Sequence, residues 1–286
     1  MIAMKSNMYI IQEVFNHNAL LCRQQTTDEN YLFFGKGIGF KRKRGDIFVV
    51  DKNVERVLLT LTRDAIDRYK FLVEQVENKQ LIKIVQNIVL QAQSYFEHTI
   101  SGDLEISLLD HLNFAIQRRK QGYDMHYPFV NELKFLYPKE YTFSQEALAY
   151  LKSELKDDAP DDDELAFLIM HIHAAVSGNR VSNVLNYNHA AVRCVELLEQ
   201  MEHITIDRST VYYSRFLRHV IFALQRSRDG QTIKNVMLDN IKKSFSHEFE
   251  LGQALALYVK KTLRLTLDED EIAYLALHIY SMLHDK

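Results

Sequence analysis

The rhythm of apolar positions changes near residue 60. Before it, short apolar runs alternate with clusters of turn-forming residues; after it, apolar residues recur every three or four positions. In the first region, Met8 to Phe15 is rich in Ile, Val, Tyr and Phe, which suit a pleated, half-buried surface. Asn16-His17-Asn18 then reads as a turn, Ala19 to Cys22 as a returning strand, Thr26 to Asn30 as a second turn and Tyr31 to Phe34 as a third strand. Ile47 to Val50 reads as a fourth. This spacing predicts a small antiparallel sheet or barrel. A unit of that size has little core of its own and gains from dimerisation.

From residue 61 the pattern predicts helix almost throughout. Leu81, Ile84, Val85, Ile88 and Val89 form one apolar stripe. Leu104 to Gln117, Leu165 to Val176, Ala191 to Met201, Tyr213 to Arg226 and Glu271 to Leu283 continue it. Asp161 to Glu164 places four acids before an apolar run, as the first turn of a helix prefers.

This helical body repeats itself. Asp110-His111-Leu112-Asn113-Phe114-Ala115-Ile116-Gln117-Arg118 shares a skeleton with Arg218-His219-Val220-Ile221-Phe222-Ala223-Leu224-Gln225-Arg226, at an offset of 108 residues. Asp163-Glu164-Leu165-Ala166-Phe167-Leu168-Ile169-Met170-His171-Ile172 matches Asp270-Glu271-Ile272-Ala273-Tyr274-Leu275-Ala276-Leu277-His278-Ile279 at an offset of 107. Two independent segments agreeing on one offset imply a duplicated helical domain. The expected organisation is therefore multidomain: a small all-β antiparallel head over residues 1–60, then two duplicated all-α helical bundles over 61–177 and 178–286.

Composition sharpens the division. The net charge of −3 conceals nine Lys/Arg against six Asp/Glu in residues 1–60, and 26 against 32 in the remainder. Four of the nine glycines (Gly35, Gly37, Gly39 and Gly45) fall within eleven residues of the head. The two cysteines, Cys22 and Cys194, are too few for a disulfide framework and fit a reduced, cytoplasmic setting. No apolar run has the length of a membrane span, and the N-terminus lacks the signal-peptide pattern.

Candidate chemistry lies in two places. Each helical copy carries two histidines, 60 residues apart in the first (His111, His171) and 59 in the second (His219, His278). A histidine on an apolar helix is ordinarily a packed core residue. Its retention at both positions of a diverged repeat argues for proton, metal or phosphoryl chemistry instead. No further ligands converge in the sequence, so no metal or other cofactor is called for. In the head, Lys36, Lys41, Arg42, Lys43 and Arg44 set five cations in nine residues. Such a run suits a phosphate backbone, with Phe33, Phe34 and Phe40 as stacking platforms for bases and the glycines allowing close approach.

Taken together, these motifs resemble the BglG/SacY-type bacterial transcriptional antiterminators over nearly the whole chain. The head is similar to the family's RNA-binding domain in its Asn16-His17-Asn18 turn. It is similar also in Gly35-Lys36-Gly37-Ile38-Gly39-Phe40-Lys41-Arg42, followed by Gly45-Asp46. Lys36 stands where the family commonly has arginine, and Glu13 where it commonly has lysine. The body resembles two phosphotransferase-system (PTS) regulation domains. Asn131-Glu132-Leu133-Lys134 and Tyr137-Pro138-Lys139-Glu140-Tyr141 are typical of the first, and all four family histidines have counterparts.

The resemblance implies a homodimeric head that binds an RNA hairpin in an mRNA leader and prevents terminator formation. Contacts would come from Asn18, Gly35, Lys36 and Phe40, beside the cationic Lys41 and Arg42. It implies phosphorylation of His111, His171, His219 and His278, by a sugar-specific PTS permease in the first copy and by the carrier protein HPr in the second. Arg118, Arg119, Arg215, Arg218 and Arg226 would be available to pair the added charge. Such a chain is a phosphoacceptor, not an enzyme. Two alternatives are a PTS-regulated DNA-binding activator, which needs a helix-turn-helix head, and a helical metal-dependent enzyme using the paired histidines.

Overall fold

A computed structural model describes residues 8–17, 19–24, 30–54, 56–59, 63–96, 100, 103–123 and 125–284. The head is an antiparallel sheet of β1 (Met8–Asn16), β2 (Ala19–Gln24), β3 (Asn30–Phe34), β4 (Ile47–Val49) and β5 (Arg56–Leu59), ordered β4-β1-β2-β3-β5. The four expected strands are present. The fifth was not foreseen; it pairs with β3 from Tyr31↔Leu59 to Phe34↔Arg56. Of the turn expected at Thr26 to Asn30, Asn30 opens β3 and the rest lies outside the described residues, as does Asn18.

Both faces of this sheet are covered. Leu20 and Cys22 join Tyr9, Ile11, Tyr31, Phe33, Ile38 and Phe48 in one small core. The alternate residues Ala19, Leu21, Leu32 and Phe34 face the other way, into the core of the first helices. Double burial explains why Tyr31 to Phe34 shows no polar–apolar alternation. It also corrects the stacking role expected of Phe33 and Phe34. They are 0% and 6% exposed, packed on opposite faces of β3.

The helices are α1 (Arg63–Gln75), α2 (Lys79–Phe96), α3 (Asp103–Lys120), α4 (Val130–Leu136), α5 (Pro138–Leu155), α6 (Glu164–Ser177), α7 (Val181–Glu202), α8 (Val211–Arg228), α9 (Leu238–Ser244), α10 (Ser246–Leu263) and α11 (Glu269–His284). The pairs α3/α8, α4/α9 and α5/α10 each begin 108 residues apart, so the repeat read from side chains is also a repeat of elements.

The chain divides into two compact units, Met1–Tyr127 with Thr142–Gly178, and Pro128–Tyr141 with Asn179–Lys286. In the first, α1, α2, α5 and α6 bury Leu72, Ile84, Ile88, Leu151 and Leu168 around Leu108 and Leu112 of α3. In the second, α7, α8, α10 and α11 bury Val195, Phe216, Leu224, Leu255 and Ile279. Helix α4 belongs to the second unit, where buried Glu132 accepts a hydrogen bond of 2.9 Å from the phenol of fully buried Tyr213 on α8. The chain returns to the first unit within α5.

Candidate functional site

Seven residues are two helical turns, so positions i and i+7 lie on one face. Helix α3 thus presents His111 and Arg118 together, and α6 presents Glu164 and His171. The two faces meet. The His111 and His171 rings have centroids 5.0 Å apart, and the far ends close through Glu164, which takes Arg118 Nη2 at 2.5 Å on Oε1. His111 Nε2 lies 2.6 Å from Glu164 Oε2. A carboxylate held by a guanidinium offers only lone pairs, so the histidine nitrogen donates. Glu164 is nearly fully buried, and its place at the start of α6 favours its negative charge.

The second copy assembles the same four residue types. His219 and His278 rings are 4.7 Å apart, and Glu271 near the start of α11 is equally buried. The wiring differs. Arg226 grips Glu271 with both arms, Nε to Oε1 at 2.6 Å and Nη2 to Oε2 at 2.9 Å. His219 Nε2 is left 3.6 Å from Oε2 without a hydrogen bond. Equivalent clefts flank the two glutamates, of about 270 Å³ beside Ala115, Asp161 and Glu164 and about 390 Å³ beside Ala223, Asp268 and Glu271.

Burial keeps most of these rings neutral. His171 is pushed down to about 3 by desolvation and then by His111, and its buried Nδ1 has no partner. His219 is pushed down to about 3 by desolvation, His278 and Arg226. Desolvation and then the field of Arg215 lower His278. Of the five arginines expected to meet a phosphoryl group, Arg118 and Arg226 are at the histidine sites and already paired with glutamate. Arg215 faces His278 electrostatically, whereas Arg119 pairs with Asp161 and Arg218 donates to the Phe135 carbonyl. Sequence reasoning missed Glu164 and Glu271 as site residues. Both stand in the repeated skeleton, seven positions before a histidine, but the sequence pattern accounts for Glu164 as a helix-starting acid and for Glu271 as the first residue of a helical stretch.

In the head, the loop between β3 and β4 is pinned at two points, to β1 and to the turn that follows it. Gly39 N donates to the His17 carbonyl at 2.9 Å and Gly45 N to the Ile11 carbonyl at 2.7 Å. This gathers the β1–β2 turn and the basic loop: the Phe40 ring lies edge-on to His17 at 5.5 Å and under the Lys41 ammonium at 5.4 Å. Phe40 is 56% exposed, and Lys36, Lys41, Arg42, Lys43 and Arg44 are exposed around it. Arg42 also lies over the Phe48 ring at 5.9 Å. Gly35 is different. It is buried, and a Cβ there would sit 1.9 Å from the Asn53 carbonyl oxygen, so its glycine is demanded by the backbone passing over it.

Residues 9–64 match the CAT RNA binding domain, and residues 86–175 and 192–282 each match the PRD domain. This chain belongs to the BglG/SacY-type antiterminator family. A CAT RNA-binding domain precedes two PTS regulation domains, and the family is regulatory and RNA-binding, not enzymatic. The CAT match over the strand-built head overturns the helix-turn-helix alternative, and the regulatory family overturns the metal-enzyme one. The antiterminator is 28% identical to Protein GlcT of Staphylococcus saprophyticus, over 98% of this chain and 99% of that protein. It is 26% identical to transcription antiterminator LicT of Bacillus subtilis, over 94% and 97%. The solved structure of GlcT CAT-PRDI superposes with a TM-score of 0.52 at 28% identity, covering 59% of this chain and 99% of that one.

Proposed function

We propose that this PTS-regulated antiterminator binds an RNA hairpin in an mRNA leader through the head, as a homodimer in the cytoplasm. The RNA-binding residues are Lys36, Phe40, Lys41 and Arg42, with Asn18 and Gly35 from the family motif. The RNA-binding domain is 1–60 and the two regulation domains are 61–177 and 178–286, and His111, His171, His219 and His278 are the phosphoacceptors. The donors are a sugar-specific permease for the first copy and HPr for the second. A phosphoryl group adds close to two negative charges and strong acceptor oxygens. Arginines already beside the rings are the natural partners for that charge. No helix among the described residues is long and apolar enough to cross a membrane.

The observation that carries the reading is the twofold construction of one partly buried His–His–Glu–Arg cluster around a buried glutamate. A single cluster fits an ordinary satisfied core. Two that keep the same four residue types while their surroundings diverge fit a shared chemical use. The test is filter binding of the full chain to leader RNA, with sedimentation, before and after treatment with HPr or permease and a phosphoryl source. Hairpin binding that changes on acid-labile histidine phosphorylation supports the reading. Phosphorylation absent from all four histidines rejects it.

A further inference from the structure

Glu164 touches the first histidine pair at one atom, and that contact constrains the chemistry. We propose that Glu164 is a positioning residue that holds His111 in its Nε2–H form, so that the phosphoryl group is received at Nδ1; this rests on the reading of His111 as a phosphoacceptor.

A neutral imidazole carries one N–H and one lone pair. With Nε2–H committed to Glu164 Oε2 at 2.6 Å, the lone pair must sit on Nδ1. The other carboxylate oxygen is engaged by Arg118 at 2.5 Å, so the glutamate is fixed as an acceptor and cannot turn away without stranding a buried guanidinium. Among the described residues, the buried nitrogens without a partner include His171 Nδ1 and His219 Nε2 but neither nitrogen of His111. The ring is thus tethered at Nε2, which leaves Nδ1 as the nitrogen with a lone pair to react.

The transfer balances with no further reagent. The Nδ1 lone pair forms a bond to phosphorus. The bond from phosphorus to the donor's imidazole nitrogen or cysteine sulfur breaks, and its electron pair leaves with the donor. His111 keeps its Nε2 proton, so the ring takes up positive charge against the Glu164 carboxylate. A carboxylate that is closest when that charge develops favours transfer, as a buried acid does for an imidazole acting in proton chemistry. His171 is a packed neutral neighbour lying against His111.

The second copy supplies the internal control. Glu271 gives both oxygens to Arg226, and His219 Nε2 is 3.6 Å away and unbonded. The same lock is not set there.

Two measurements on the full chain test this, using protein with ¹⁵N-labelled imidazoles. The first reads the unphosphorylated chain at neutral pH. His111 should give the nitrogen shifts and couplings of a ring protonated at Nε2, and Glu164→Gln should move them toward a mixture of tautomers. The second treats the chain with phospho-HPr or a phosphocysteine permease domain and reads the ring isomer at His111. The expected product is Nδ1-phosphohistidine, with the initial rate falling about tenfold or more in Glu164→Gln, the scale of one hydrogen bond to a charged group. A native ring protonated at Nδ1, or phosphate found on Nε2, overturns the positioning role while leaving His111 a phosphoacceptor. No phosphate on His111 at all overturns the functional reading and this inference with it. If Glu164→Gln fails to fold, the native chain alone still decides through its tautomer and its isomer.

Discussion

The two helical copies hold the same four residue types at the same spacing, yet distribute their hydrogen bonds differently. In the first, Glu164 divides its oxygens between Arg118 and His111. In the second, Glu271 gives both to Arg226, and His219 is left within 3.6 Å but unbonded. Duplication preserved the parts; divergence changed whether the glutamate holds a histidine. The lesson is that a repeat identifies a site, whereas the assignment of each nitrogen needs geometry. In the phosphoacceptor role proposed above, the two histidines therefore start from different states. A tethered acceptor is prepared before the donor arrives, and an untethered one must reorganise.

The largest effect should come from removing the glutamates. Glu164→Ala leaves Arg118, whose side chain is 12% exposed, without its buried partner; Glu271→Ala leaves Arg226, at 23%. Stranding a buried charge costs roughly 3–5 kcal/mol, and the cost falls as water reaches the orphan. Hydrogen exchange in α3 and α6 should therefore accelerate more for Glu164→Ala than exchange in α8 and α11 does for Glu271→Ala. Equal effects would remove the distinction between the copies.

A second test uses acid. His171 and His219 both have folded values near 3, below the ordinary value of 6.5. The unfolded chain binds protons first as the pH drops, so the folded state has its full stability above about 6.5 and loses it progressively down to about 3. Each ring contributes up to about 1.4 kcal/mol per pH unit in that window. Melting temperature against pH should flatten in His171→Asn and His219→Asn relative to the native chain. Unchanged slopes would mean the rings are not buried neutral.

The head offers a smaller effect of a different kind. Phe40→Ala should weaken hairpin binding by roughly 1–3 kcal/mol, the range for a lost base–aromatic stack, without altering the melting of the sheet. Phe33→Ala should do the reverse, unfolding the sheet because that ring is fully buried. If Phe40→Ala melts the head, the ring is structural.

The smallest expected effect concerns the cysteines. Burial raises both Cys22 and Cys194 to about 12, so neither forms an appreciable thiolate near neutral pH. Folded protein should react negligibly with a disulfide reagent, and both thiols should titrate together on unfolding.

Much of this was legible in the sequence, for definite reasons. The helices that were foreseen, such as α2 and α8, carry one apolar stripe and so announce their period. The repeat survived because each copy needs the same contacts inside. Three features were not legible. Phe33 and Phe34 looked like an aromatic platform because a strand buried on both faces loses its alternation. Strand β5 is four residues long and directly precedes the helical body, so no period distinguished it. Glu164 and Glu271 fitted helix starts so well that their second role was hidden. A helix dipole and a buried ion pair both favour an acid there. Only the meeting of α3 with α6, and of α8 with α11, reveals the second use.

We propose that phosphorylation of the first copy inhibits and phosphorylation of the second activates, opposite outputs from one chemistry. The direct measurement is read-through of a terminator in a reporter carrying the native leader, comparing His111→Asp with His219→Asp. Aspartate supplies only part of a phosphoryl charge, so partial effects are expected. The prediction is that His111→Asp lowers read-through and His219→Asp raises or sustains it. A change in the same direction for both would contradict the assignment of opposite roles to the two copies.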